Sequence, residues 1–553
     1  MRLSFPPLSA PILPALVLLA VLGVDAQAAT DPADAAIPRP TPQAACTLMR
    51  VTPNDAARQA FLDPLITLTH TGPSSGACGP ITLRDADGAV VATTTVADTD
   101  WPDPRGGVVG RRTIEPSAPL RQGSTYRIHW NQQDVATFTV GTERRGAVVG
   151  VVDAPLQLPG LPGNAHPGKG DVDDVLEAFA ESIAKGSGVK QWLFERVLRF
   201  ELPQLAKPHA RFGAHVRKLT YRSADANGNP LTLSALMVTP EPAFGGPPVD
   251  FRAMPVVIGQ RGSTDNDGGA PSSAATSMVV PALVAAGRGH LFLAPDLIGV
   301  GDSADQPQAY LVAADTAAQT ADLLRAARAF VAQSHQATIG PDLRLFGGSQ
   351  GAHSTIASLP LLAREGTVRL VSAGQGPYDV QRTFQGSLLA AAGAPRDAYA
   401  EREELAFLPS HLRDVMLSHR AYGNYAFDPA RVFDANGQIL PSFLQAYRAG
   451  QEHDLDRHLA ANSLVTGTQV LDLPLAQLQL YHFSQDPLVP AQNTVDLLAA
   501  LQQPRHRFAG VQRGNCHERS ELVRLLLKLS KRGLLKHTLC VAFQMDDFVG
   551  QLP

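Results

Sequence analysis

The pentapeptide Gly347-Gly348-Ser349-Gln350-Gly351 stands between the apolar run Leu343-Arg344-Leu345-Phe346 and Ala352-His353-Ser354-Thr355-Ile356-Ala357, which reads as the start of a helix. A bare G-x-S-x-G recurs by chance in a chain with 47 glycines. Between a strand and a helix it means more. A sharp strand-to-helix turn lifts the serine hydroxyl out of a sheet, and only glycine leaves room for the crossing backbone. A chain built around such a turn is layered, sheet against helix. Ser349 is the candidate nucleophile.

The surrounding sequence has the matching alternation. From about His215 onward strand-like and helix-like segments follow one another, the mark of an α/β fold with a mostly parallel sheet. His215–Ala224 and Leu231–Val238 flank Asn227-Gly228, a hairpin signal. Pro255–Ile258, Leu291–Ala294, Leu343–Phe346, Val368–Val371 and Leu478–Phe483 read as further strands, and Thr316–Ser334 as an amphipathic helix. Between Val371 and Leu478 lie about 100 mainly helical residues (Pro377 to about Gly467), read as a helical cap inserted over the site.

Upstream the pattern differs. Leu65-Ile66-Thr67-Leu68-Thr69 and Ile81-Thr82-Leu83-Arg84 alternate, Asp85-Ala86-Asp87-Gly88 is a hairpin turn, and Tyr126–Trp130 with Ala136–Val140 form a second hairpin. No helical period is visible, so residues 46–143 are expected to form a small β-sandwich. The Asp85/Asp87 pair lacks the further ligands and closing Glu of a calcium loop, and reads as a turn. Residues 144–175, rich in Gly and Pro, are expected to be a linker, leaving 176–553 for the α/β domain with its cap at about 377–467.

Residues 1–28 read as a cleaved export signal: Arg2, an apolar stretch from Ile12 to Val24, and Ala26-Gln27-Ala28. Pro11 and Pro14 make the apolar run too short for a membrane span, which needs about 20 residues. Residues 29–45 are a Pro/Ala-rich tether. The expected destination is secreted or periplasmic, with no integral membrane segment left after cleavage. In such a compartment four cysteines in two sequence-local pairs predict Cys46–Cys78 and Cys516–Cys540. No C-x-x-C is present, so neither zinc nor thioredoxin-type chemistry is indicated. A net charge of −4 without a basic block gives no reason to expect nucleic acid as a partner.

A serine hydroxyl needs a base to take its proton, and the base needs a carboxylate to hold its tautomer. In sheets with this turn the chain order is Ser, then Asp or Glu, then His. Asp486, just past the strand ending at Phe483, is the candidate acid; Asp434 and Asp454 fall in the expected cap. His517, in Gly514-Asn515-Cys516-His517-Glu518 before a helix expected over Arg519–Leu529, is the favoured base. His506, at the start of a strand, and His537, read as lying beyond the last helix, are its competitors. The oxyanion donors are expected to be the N–H of Gln350 and one from Gly259-Gln260-Arg261-Gly262-Ser263-Thr264, with Gly262 the favoured donor.

From about residue 215 to 530 the chain resembles the secretory lipase/esterase branch of the α/β-hydrolases. The likeness rests on Tyr221–Gly228, Ala270-Pro271-Ser272, Ala294-Pro295-Asp296 through Gly301-Asp302-Ser303, Tyr310, Asp322–Ala327 and the Gly-Gly-Ser-Gln-Gly turn. It implies an α/β-hydrolase fold and a Ser349/Asp486/His517 triad. It also implies metal- and cofactor-free cleavage of small-molecule or lipid carboxylic esters through an acyl-enzyme, under a helical lid. Two departures stand out: Arg261-Gly262-Ser263 replaces the usual His-Gly-Thr, and Ala352 replaces a second glycine often found after the turn. Asp302 matches a supporting position of that family. Residues 46–143 are similar to bacterial immunoglobulin-like modules, on Leu65–Leu68, Leu83–Gly88, Ala118-Pro119-Leu120 and Gly123–Tyr126. A serine peptidase of the same fold, or a secreted binding or adhesion protein with a degenerate hydrolase domain, are the competing readings.

Overall fold

The computed structural model of the protein describes residues 45–157, 161, 163–175, 199–243, 245–252, 254–264, 269–400, 409–484, 486–516 and 533–553. The signal, nearly all of the tether, His517 and the helix expected over 519–529 lie outside the described residues.

The first part is all β. β1 (Thr47–Thr52), β2 (Ile66–Gly72), β3 (Thr82–Arg84), β4 (Val90–Val91), β5 (Thr93–Pro102), β6 (Val108–Pro116), β7 (Thr125–Trp130) and β8 (Gln133–Thr139) form two four-stranded sheets, ordered β1-β2-β6-β5 and β4-β3-β7-β8. The alternation read in the sequence turns Ile66, Leu68, Leu83, Ile128, Trp130 and Phe138 into one buried layer between them. Cys46 and Cys78 are bonded, closing the edge of this layer.

The rest is organised by one nine-stranded sheet of β9 (Val148–Asp153), β10 (Gly213–Ala224), β11 (Pro230–Glu241), β12 (Val256–Gln260), β13 (Leu291–Pro295), β14 (Asp342–Gly348), β15 (Thr367–Gly374), β16 (Asp472–His482) and β17 (Arg507–Asn515), ordered β17-β16-β15-β14-β12-β13-β11-β10-β9. β13 through β17 run parallel with β12, while β9, β10 and β11 pair antiparallel at the other end. Every residue of β12 and β13 is buried, as a strand covered by helices on both faces requires. The helix Val279–Gly287 is apolar all round and buried along its whole length. The sequence places residues 148–153 in a linker; they form instead the edge strand β9. Short apolar strands in a Gly/Pro-rich stretch carry too little periodicity to distinguish from a tether.

Among the described residues, five helices, Val380–Ala391, Pro409–Tyr422, Pro429–Val432, Pro441–Arg448 and His453–Ala460, are inserted between β15 and β16 and have a core of their own around Phe384, Val415, Met416 and Leu455. The β-sandwich is fastened to both the sheet layer and this insertion. Arg50 makes a two-pronged bond to Asp315 of the helix Ala313–His335, at 2.7 and 2.9 Å. Arg457 of the insertion reaches both oxygens of the buried Asp103 carboxylate at 3.0 Å, and the Trp101 indole donates to Ser463 O at 2.7 Å. No helix among the described residues is long and apolar enough to cross a membrane.

Candidate active site

β14 carries the chain up to Ser349, and the helix Gln350–Glu365 carries it away. The turn between them holds Ser349 at φ 58°, ψ −127°, a conformation that costs a non-glycine residue about 1–3 kcal/mol. Its N–H donates to Gly374 O of β15 at 2.8 Å, which helps hold the strained residue in place. A Cβ on Gly347 would strike Gly351 O and Thr355 Oγ1, and one on Gly351 would strike Gln260 O. Both glycines are therefore obligatory for the crossing.

Ser349 lines a cavity of about 610 Å³ together with Gly262, Ser263, Tyr310, His537 and Met545. Behind it, past the end of β16, lies Asp486, which is buried. One carboxylate oxygen accepts the N–H groups of Leu488 and Val489 at 2.9 and 3.1 Å; the other meets His537 Nδ1 at 2.7 Å. With Nδ1 engaged by a carboxylate, the ring carries its proton there and presents Nε2 as an acceptor. That Nε2 is buried and has no hydrogen-bond partner among the described residues.

The histidine that Asp486 meets is thus His537, while His517 lies outside the described residues. His537 does not lie beyond the last helix; it is part of the helix Gly533–Gly550. One face of that helix reads His537, Val541, Gln544, Phe548, at spacings of four, three and four. Val541 packs on Gly348, and Gln544 donates to Gly347 O at 3.0 Å and Ser372 Oγ at 3.1 Å. Phe548 meets Phe346 with ring centroids 5.4 Å apart. A histidine at the head of a buried-face period was the available signal in the sequence. Cys540, three residues on, is bonded to Cys516 at the end of β17, so the bridge fastens the helix that carries His537. His506 is elsewhere, accepting from Leu471 N at 3.1 Å.

Gly262 flanks Ser349 closely enough that a Cβ on it would lie 3.9 Å from Ser349 Cβ and 3.8 Å from Gly348 O, the nearest atom among the described residues apart from its chain neighbours. The protein would tolerate that atom; it would occupy the space beside the serine. Gln350 is the first residue of its helix, so its N–H belongs to the first turn and has no carbonyl of that helix to bond. Arg261 links the two segments. Its Nε donates to Asp296 O at 2.8 Å, and Nη1 reaches Gly262 O at 3.0 Å and Gln350 Oε1 at 3.5 Å. Burial lowers its pKa to about 10, which leaves the guanidinium charged at neutral pH. Ser263 Oγ lies 2.7 Å from the Tyr310 hydroxyl. Asp302 pairs with Lys218 on the outside of β10 and does not line the cavity.

No protein-family model and no curated protein matches the sequence. Among solved structures, a Legionella pneumophila protein assigned as a hydrolase superposes with a TM-score of 0.52 at 16% identity, over 73% of this chain and 98% of its own. The rice cell wall degrading esterase LipA from Xanthomonas oryzae, in a ligand-bound form, gives 0.49 at 18% identity over 71% and 97% of the two chains. Candida antarctica lipase A gives 0.40 at 15% identity over 67% and 76%. Identities this low speak to fold alone. This chain shares the mixed α/β fold of the Legionella protein, and its β14 ends in the serine turn that leads into a helix.

Proposed function

We propose that the protein is an exported serine hydrolase that cleaves carboxylic esters, with Ser349 as nucleophile, His537 as base and Asp486 as the group that orients it. One observation carries this reading: the Asp486–His537 contact of 2.7 Å in the wall of the cavity that Ser349 enters. His537 Nε2 takes the serine proton as Ser349 Oγ attacks the ester carbon, and later returns it to the departing alcohol. Asp486 stays ionised throughout and stabilises the imidazolium, its second oxygen pinned by two backbone N–H groups. The N–H groups of Gly262 and Gln350 receive the oxyanion, and the nearby Arg261 guanidinium adds positive charge. Water then cleaves the acyl-enzyme by the same steps in reverse roles.

His537 takes the place that the sequence gives to His517. The five-helix insertion serves as the cap, and the β-sandwich, read as an immunoglobulin-like module, acts as a brace between cap and sheet rather than a spacer. Two disulfides support export to an oxidising compartment. The resemblance to the secretory lipase/esterase branch supports an ester over an amide substrate.

Turnover of p-nitrophenyl esters of graded acyl length, set beside an amide analogue, tests this. Ester cleavage that disappears in Ser349→Ala with unchanged melting supports the reading; amide cleavage outpacing ester cleavage makes the enzyme a peptidase. Absence of both in the intact protein removes the enzymatic reading.

A further inference from the structure

At the opposite end of the sheet from β17, four side chains from separate segments converge. Asp153 ends β9, His215 is the third residue of β10, Glu241 ends β11, and His166 arrives from the connection that follows β9. Asp153 pairs in register with Arg217 and Gly213 with Glu241, which sets His215 between the two carboxylates. His215 Nε2 lies 2.6 Å from one oxygen of Asp153, and His166 Nε2 lies 3.5 Å from the other. The two imidazole rings have centroids 3.9 Å apart. One ligating atom from each of Asp153, His166 and His215 falls within 4.8 Å of the others.

The connection is not draped loosely here. Val216 N donates to Ala165 O at 2.8 Å and Ala214 N to Pro167 O at 2.9 Å, so the backbone on both sides of His166 is bonded to β10. Gly213 is what allows this approach, since a Cβ there would come within 2.9 Å of Pro167 O. His166 Nδ1 lies 3.0 Å from Glu241 Oε2. A carboxylate on Nδ1 favours the proton there and, once a cation sits between the ring and Asp153, frees the Nε2 lone pair for it, the outer support that metal-binding histidines ordinarily have.

We propose that Asp153, His166 and His215 form a binding site for a zinc-class divalent cation, with Glu241 orienting His166. Two imidazole nitrogens and one carboxylate oxygen, with one position left for water, suit Zn²⁺; the imidazoles disfavour Mg²⁺ and Ca²⁺. Arg217 opposes loading. It contacts His215 Nδ1 and donates to Thr239 Oγ1 at 2.8 Å. With Arg217 on Nδ1, the His215 proton sits on Nε2 and points at Asp153. Loading moves that proton to Nδ1, with no net proton release, and Arg217 retires to Thr239. The bound cation ties Asp153 to His166, clasping the connection and the edge strand β9 onto the catalytic sheet. This site is independent of the Ser349 cavity and of the function proposed for it.

Calorimetric titration of ZnCl₂ into the tag-free full chain, with MgCl₂ in parallel, tests the site. The expected result is saturable binding of a single Zn²⁺, a raised melting temperature with Zn²⁺ relative to a chelator, and no Mg²⁺ binding. His166→Ala and His215→Ala each abolish saturable binding, and Glu241→Gln weakens it about 10- to 100-fold. Arg217→Met tightens it, which separates a true ligand set from a general loss of fold. Absence of saturable Zn²⁺ binding overturns the site, as does equal binding by the His166→Ala/His215→Ala double variant.

Discussion

Asp486 and His537 meet at 2.7 Å although 51 residues separate them in the chain, one in the loop after β16 and the other in the helix Gly533–Gly550. Neither side chain is placed by chance. The carboxylate is fixed by the N–H groups of Leu488 and Val489, and the histidine by a helix whose Gln544 is hydrogen-bonded to Gly347, two residues before the serine. The serine turn, Asp486 and His537 are thereby held together by the loop after β16 and by a helix bonded to β14.

Arg261 and Gly262 are predicted to act on turnover more than on folding. Among the described residues, leaving out its chain neighbours, Gly262→Ala meets no atom closer than 3.8 Å, so the melting temperature should stay near that of the parent. The added methyl stands beside Ser349 and should cut kcat/KM by about 10²-fold. Arg261→Lys cannot span Asp296 O, Gly262 O and Gln350 Oε1 together, and should lower kcat by about 10- to 100-fold with a smaller change in KM. Steady-state kinetics of the two variants checks both. Unchanged kcat in Arg261→Lys removes its positioning role.

Reduction should act through the helix of His537. Cys540 is one turn beyond His537, and its bridge to Cys516 closes a loop with a separation of 24 residues. A Cys516→Ala/Cys540→Ala variant should lose about 3 kcal/mol of stability and most of its activity, while the Cys46→Ala/Cys78→Ala variant keeps its turnover. Denaturant titration alongside an ester assay distinguishes the two bridges. Full activity without Cys516–Cys540 contradicts the account.

The contact between sandwich and insertion is predicted to be costly to break. Asp103 and Arg457 are both buried, so Asp103→Ala takes the buried carboxylate from the guanidinium and leaves it the exposed Asp454 at 3.4 Å, at a cost of about 1–3 kcal/mol. The paired change Asp103→Asn/Arg457→Gln should recover part of it. Urea unfolding of the parent and the two variants measures the loss and the recovery.

Acid should loosen the seam between the helix Gln350–Glu365 and the insertion. Burial holds His353 and His419 at a pKa of about 4 and His458 at about 3, against an ordinary value of 6.5. His353 Nε2 bonds Asn462 O at 2.9 Å, and Asn462 Nδ2 lies 3.1 Å from His419 Nε2, so these rings are neutral where they stand. With folded values below unfolded ones, the unfolded chain binds more protons between about pH 6.5 and 4. Stability therefore falls as pH drops through that window, by up to about 1.4 kcal/mol per pH unit for each ring. Melting temperatures from pH 7 to 4.5 should show the fall, and His353→Asn should flatten it.

The sequence made some of this legible for physical reasons that differ element by element. The turn at Ser349 carries its own geometry, because a strand, two glycines and a helix admit few other shapes. Asp486 follows a strongly apolar strand, so its sheet edge could be read. His537 could not be placed the same way. Its segment reads as lying beyond the last helix, and His517, in a loop directly before an expected helix, is the favoured base on sequence alone. The helix register shows in three dimensions, through the packing of Val541 on Gly348 and the bond from Gln544 to Gly347. β9 was missed because Val148–Asp153 is short and borders a Gly/Pro-rich stretch. The Arg261 network was invisible because its partners come from three separate segments.

The central claim is that His537, held by Asp486, takes the Ser349 proton. Ester-hydrolysis kinetics of His537→Ala and His517→Ala, each compared with the parent at equal folded fraction, test it most directly. The account predicts that His537→Ala loses about 10⁴-fold or more in kcat/KM while His517→Ala stays within a few-fold of the parent. Near-parental turnover in His537→Ala, with His517→Ala inactive, would contradict it.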